Sequence, residues 1–148
     1  MFFIVGIIFA CRPPLEIDAS WNVTVTGVET NCTEDASGYL NNYSYDIQYD
    51  GTRAKIYIDN AMYATGDHRG CSLKYTSASY LEESADGSFS WEIAGDADVE
   101  SQGNSCDLPE GVDWQGTETL TVIESENPNV EVGCTYSMTV EGAFVQNQ

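Results

Sequence analysis

The stretch Tyr43-Ser44-Tyr45-Asp46-Ile47-Gln48-Tyr49-Asp50-Gly51-Thr52-Arg53-Ala54-Lys55-Ile56-Tyr57-Ile58 decides the fold class. Tyr43, Tyr45, Ile47 and Tyr49 alternate with Ser44, Asp46, Gln48 and Asp50. Successive side chains of a strand point to opposite faces, so this period of two predicts a strand with one buried and one wet face. Asp50-Gly51 is a turn signal, because glycine adopts positive φ without a Cβ clash. Ala54, Ile56 and Ile58 then alternate with Lys55, Tyr57 and Asp59, which completes a hairpin.

The same rhythm runs outward from this hairpin. Trp21, Val23 and Val25 alternate with Asn22, Thr24 and Thr26. Leu73 and Tyr75 open a strand that Asp86-Gly87 turns, and Phe89, Trp91 and Ile93 return. Thr117, Thr119 and Thr121 alternate with Glu118, Leu120 and Val122, and Asn127-Pro128-Asn129 turns that strand. Val130, Val132, Cys134, Tyr136, Met138 and Val140 share one face of the last strand. Apolar spacings of three and four are absent from this region, so no helix is expected. The reading is an all-β domain over residues 20–148: an antiparallel up-and-down meander of seven or eight strands, closed as a barrel or flattened barrel. Two longer connections, residues 29–41 and 100–115, hold Cys32 and Cys106.

The amino end reads differently. Phe2-Phe3-Ile4-Val5-Gly6-Ile7-Ile8-Phe9-Ala10 runs into Cys11, and Arg12-Pro13-Pro14 follows. A spanning helix needs roughly 20 apolar residues, and this run is short enough for a signal-peptide core. Ile8-Phe9-Ala10-Cys11 resembles the lipobox of bacterial lipoproteins, with an aliphatic residue third before the cysteine and a small one directly before it. The resemblance implies cleavage before Cys11, acylation of its thiol, and attachment to a bacterial membrane, the outer membrane being favoured. Residues 1–10 are then the leader, and residues 11–19 the lipidated cysteine with a short tether stiffened by Pro13-Pro14. Stable anchoring takes more than one acyl chain, each buried methylene contributing about 0.8 kcal/mol.

Cysteine counting agrees with that division. The chain has five cysteines, an odd number for an exported protein. Assigning Cys11 to lipid leaves an even set, Cys32, Cys71, Cys106 and Cys134. Their wide spacing lacks the paired ligands of a zinc site and suits two disulfides. Turning back at Asp86-Gly87 brings the start of the Leu73 strand level with residues near 100, so Cys71 is expected to pair with Cys106. Cys32 then pairs with Cys134 by elimination. A closed eight-strand meander also makes its first and last strands antiparallel neighbours, which would bring those two together.

The chain carries 24 acidic and 5 basic residues, a formal net charge of −19. Such a surface excludes nucleic acid as a partner, because that binding rests on Lys and Arg neutralising phosphates. The acids are spread along the body, which suits solubility through self-repulsion.

Candidate sites are few. The early tryptophan in Asp18-Ala19-Ser20-Trp21, with the meander behind it, looks somewhat like a small lipocalin-like barrel. That resemblance implies a cup for a small apolar ligand, lined by Tyr45, Ile47, Ile56, Tyr75, Trp91, Leu120 and Tyr136. The same side chains could instead fill a solid core. The sole histidine, His68, has glycines on both sides and is read as an exposed turn. Catalytic zinc needs three protein ligands, and no second histidine exists. Asp96-Ala97-Asp98 with Glu100 lacks the full calcium loop. No Gly-x-Ser-x-Gly elbow is present, and no metal or cofactor is implied. Tyr57 and Trp114 are read as exposed contact aromatics. Asn22-Val23-Thr24, Asn31-Cys32-Thr33 and Asn42-Tyr43-Ser44 match the glycosylation sequon but read as ordinary polar positions in a bacterial protein.

The expectation is a membrane-anchored cell-envelope lipoprotein whose β domain has a binding or structural role rather than an enzymatic one. Its partners are the membrane, through lipid, and an envelope protein or a small apolar ligand. The alternatives are a lipocalin-like carrier and an extracytoplasmic hydrolase using acidic residues.

Overall fold

The computed structural model describes residues 16–33, 40–100 and 104–145. Cys11, the leader and most of the tether lie outside these residues, as do parts of both long connections. Every regular element described is a strand. They are β1 (Ala19–Thr30), β2 (Asn42–Asp50), β3 (Arg53–Ile58), β4 (Ala61–Arg69), β5 (Ser72–Ser77), β6 (Tyr80–Ser84), β7 (Gly87–Val99), β8 (Trp114–Ser125) and β9 (Thr135–Val145).

Eight of these strands close a barrel, in the order β5-β4-β3-β2-β1-β9-β8-β7, with β7 pairing back onto β5. All the pairings are antiparallel. The first and last strands meet as expected, from Ser20↔Val145 to Thr30↔Tyr136. The ninth strand, β6, lies beside β7 beyond the point where β5 leaves it.

The hairpin read first behaves as read. Ile47 faces Ile56 and Tyr49 faces Ala54 across β2 and β3. Gly51 takes φ +62° as the first residue of a two-residue turn, and Gly70 takes φ +61° in the corresponding place between β4 and β5. Nothing crowds a Cβ at Gly51. Gly51→Ala should therefore cost only the left-handed backbone penalty, about 1 kcal/mol, measurable by urea denaturation.

Alternation sets the inside and outside of the wall. Trp21, Val23, Ile47, Ile56, Leu73, Val99 and Trp114 are fully buried. Trp114 is the hub: Trp21, Tyr45 and Tyr75 stand edge-on to it at centroid distances of 5.6, 5.5 and 6.0 Å. Such edge contacts add about 0.5–1.5 kcal/mol each beyond area burial. Tyr75 fits because its cross-strand neighbours on both sides, Gly66 and Gly95, have no side chain. A Cβ on Gly95 would sit 2.0 Å from the Tyr75 ring. The outer face carries Arg53, Lys55, Asp67, Lys74 and Asp96, all exposed. An outer wall of charges suits water and is the reverse of the apolar band of a transmembrane barrel.

Both disulfides form as expected, Cys32–Cys134 and Cys71–Cys106, with Cα–Cα distances of 5.1 and 5.8 Å. Cys32 follows β1 and Cys134 precedes β9, so that bridge spans two neighbouring strand ends. Cys71 lies between β4 and β5, at the opposite end of the barrel.

Four local expectations are corrected. Residues 61–69 form a strand, β4, so His68 is not in an exposed turn; it is half-buried on the same strand face as Gly66. The strand begun at Leu73 breaks at Ala78-Ser79 into β5 and β6. Tyr57 and Trp114 are buried rather than exposed. Trp114 begins β8, and Tyr57 lies on the outer face opposite Asp46 and Met62 but is covered there, its hydroxyl donating to Gln48 Oε1 at 3.4 Å. Val132 is exposed and precedes the last strand instead of lying on its inner face.

Candidate functional site

The polar centre of the barrel is Glu118, on β8 between Thr117 and Thr119. Alternation from Leu120 and Val122 turns it inward, where it is only 2% exposed. Tyr45 donates its hydroxyl to Glu118 Oε1 at 2.7 Å, and Tyr75 donates to the same oxygen. Tyr63 reaches Oε2 at 3.5 Å. Strands β2, β4 and β5 thus each supply a phenol to a carboxylate on β8.

The electrostatics follow from burial. Desolvation pushes the Glu118 carboxyl above its usual range, and the hydroxyls of Tyr75, Tyr45 and Tyr63 pull it partly back. The phenols move up as well, again first through burial and then through the Glu118 charge. They remain protonated and keep donating. The arrangement fixes four side chains from four strands around one buried acceptor, which specifies strand register in the barrel interior. Among the described residues, Glu118 is closed off from solvent by these neighbours.

Of the seven residues predicted to line a cup, Tyr45, Ile47, Ile56, Tyr75, Leu120 and Tyr136 all lie in the buried core. A side chain with almost no accessible surface borders no space that admits even water. These six therefore pack a solid centre around Glu118 and Trp114. Trp91 is half-buried and its ring lies tilted against Tyr80, with centroids 4.8 Å apart.

Among the described residues, depressions lie away from that centre. One, of about 470 Å³, sits at the barrel end where Asp18 leads into β1, lined by Asp18, Tyr49, His68, Asn104 and Phe144. The His68 and Tyr49 rings stack there at 5.3 Å. Burial lowers the His68 imidazole below its ordinary value, backbone hydrogen bonds to Val99 and Gly70 partly offsetting it. Burial and the Asp18 carboxylate push the Tyr49 phenol up to about 12. Another is an open groove of about 880 Å³ on the outer face of β3, β4, β5, β7 and β8. Its cross-strand register places Arg53, Asp67, Lys74 and Asp96 in one alternating row. Lys74 pairs with Asp96 at 3.1 Å in open solvent, which screens the attraction. Among the described residues, no group of three His, Cys, Asp or Glu side chains could hold a metal ion.

Sequence reasoning missed Glu118 and Tyr63. Glu118 was visible as an acid sharing a face with Leu120 and Val122. Tyr63 reaches the interior only because a bulge shifts the β3–β4 register, so no sequence period marked it. No protein-family model matches the chain, and no curated protein or solved structure is detectably similar to it.

Proposed function

We propose that this chain is a lipid-anchored protein of a bacterial cell envelope, with the outer membrane as the favoured bilayer. Its barrel is a solid scaffold that binds partners at its surface. The partition of the cysteines carries this reading. Cys32, Cys71, Cys106 and Cys134 pair among themselves, which leaves Cys11 as the odd thiol, at the lipobox-like Ile8-Phe9-Ala10-Cys11. Two disulfides belong to an oxidising compartment outside the cytoplasm, where such a lipid anchor is added and used. The packed interior supports surface binding over storage of an apolar ligand. The burial of Glu118 supports a non-enzymatic role, since this raised carboxyl is closed off from solvent.

Intact mass of the membrane-extracted protein tests the reading. The expected species lacks residues 1–10 and is heavier than the remaining chain by acyl groups. Cys11→Ser should abolish that addition and release the protein from membranes. A full-length, unacylated chain overturns the proposal.

A further inference from the structure

Among the described residues, strand β6 has a hydrogen-bonded neighbour on one side only. It pairs with β7 from Tyr80↔Trp91 to Ser84↔Gly87 and with no other described strand. The ladder between β4 and β5 stops at Ala64↔Ser77, so Ala61–Tyr63 do not reach it. A side chain spans the gap instead: the Tyr80 hydroxyl donates to the Tyr63 carbonyl at 2.9 Å.

The hairpin geometry says which backbone groups are free. Ser84 and Gly87 flank the two-residue Ala85-Asp86 turn and form its hydrogen-bonded pair. Tyr80, Glu82 and Ser84 therefore direct their N–H and C=O groups to β7. Leu81 and Glu83 direct theirs outward. The Leu81 side chain is 69% exposed, the most exposed of the large apolar residues described. An edge of this kind is a template for an added strand.

Charge selects the occupant. Glu82, Glu83, Asp86, Glu124 and Glu126 are exposed on β6, its turn and the end of β8. The described basic side chains, Arg53, Lys55, Arg69 and Lys74, lie on β3, β4 and β5. A second copy would set its own Glu82-Glu83 against this pair, and like charges facing across strands repel. A cationic strand is attracted. The Tyr80 and Trp91 rings lie 4.8 Å apart, and Glu82 Oε2 accepts from Trp91 Nε1 at 3.3 Å. Ring faces beside a carboxylate favour an ammonium or guanidinium group.

We infer that β6 is a docking edge, to which an extended segment of a partner protein bearing Lys or Arg adds as a further strand. Its backbone pairs with Leu81 and Glu83, and its cations meet Glu82, Glu83 and the Tyr80–Trp91 pair. This deepens the surface-binding role proposed above, and the mass of Cys11 decides the anchor independently.

The test uses the mature chain and a short synthetic peptide alternating lysine with valine, beside a glutamate–valine control. The protein's charge attracts any polycation, so the readout is site-specific: NMR shifts and hydrogen-exchange protection at the Leu81 and Glu83 amides. Both should respond to the lysine peptide and not to the control. Leu81→Pro deletes one outward N–H and leaves the β7 ladder intact, so binding should weaken about tenfold or more. Glu82→Lys with Glu83→Lys keeps the backbone and should reject the peptide equally, which covers a failure of the proline variant to fold. Unchanged Leu81 and Glu83 amides, undiminished binding by the lysine double variant, or a dimer that Leu81→Pro dissolves would each overturn the inference.

Discussion

Replacing Cys32 and Cys134 together by serine is expected to lower the stability of the barrel by about 4–5 kcal/mol. The bridge joins residues 102 apart in sequence and so removes a large closed loop from the unfolded ensemble. The Cys71–Cys106 bridge joins residues 35 apart. Loop entropy grows only with the logarithm of length, so its removal should cost about 1 kcal/mol less. The two differ in the folded state too. Cys32–Cys134 lies across the seam where β1 meets β9, the pairing that closes the cylinder. Without it, that seam keeps the β1–β9 ladder and the hydrogen bonds between Asn31 and Thr135 and between Thr33 and Asn129. Guanidinium unfolding of the two serine double variants measures both effects. Equal losses would mean that loop length does not govern the contribution of these bridges.

The pairing of the cysteines was legible because topology and cysteine position constrain each other. Once Tyr43–Ile58 is a hairpin and the rest of the chain keeps a two-residue period, consecutive antiparallel strands follow. The first and last then meet, carrying Cys32 toward Cys134. The errors share a different cause. Residues 61–69, Ala-Met-Tyr-Ala-Thr-Gly-Asp-His-Arg, keep a poor alternation because Gly66 occupies an inward position. Glycine there is required by the Lys74 carbonyl and the Tyr75 Cα and Cβ on the neighbouring strand, which a Cβ would strike, a tertiary reason that a local reading takes for a turn. Tyr63 is the extra residue of a bulge in β4, which breaks the period on which the reading depends, whereas Tyr57 keeps its outward position and is covered there. Glu118 was a different failure. Its position was readable from Leu120 and Val122, but only the structure gathers Tyr45, Tyr63 and Tyr75 around it, from three strands distant in sequence.

That gathering leads to the second large effect. Tyr75→Phe should destabilise the barrel by about 2–3 kcal/mol where Glu118 is ionised, because a buried carboxylate loses a donor and no water replaces it. The loss is tied to the charge on Glu118. Burial raises its folded-state value above the ordinary 4.5, so the folded protein takes up this proton more readily than the unfolded chain. Stability linked to Glu118 is therefore greatest when the group is protonated. It falls as pH rises from the ordinary value through the raised one, and stays at its lower level above that. Glu118→Gln cannot lose that proton, so the difference in stability between the parent and this variant isolates the effect, and it should move in the parent's favour on acidification. Tyr75→Phe removes one of the hydroxyls that lower the Glu118 value, so it should move the titration further up and extend the window to higher pH. Its own cost should shrink on acidification, since a neutral carboxyl loses a weaker hydrogen bond. Carboxyl carbon NMR of Glu118 and urea unfolding across this range measure both quantities. A cost independent of pH, with an unmoved Glu118 titration, would show that the Tyr75 hydroxyl is not holding a buried charge.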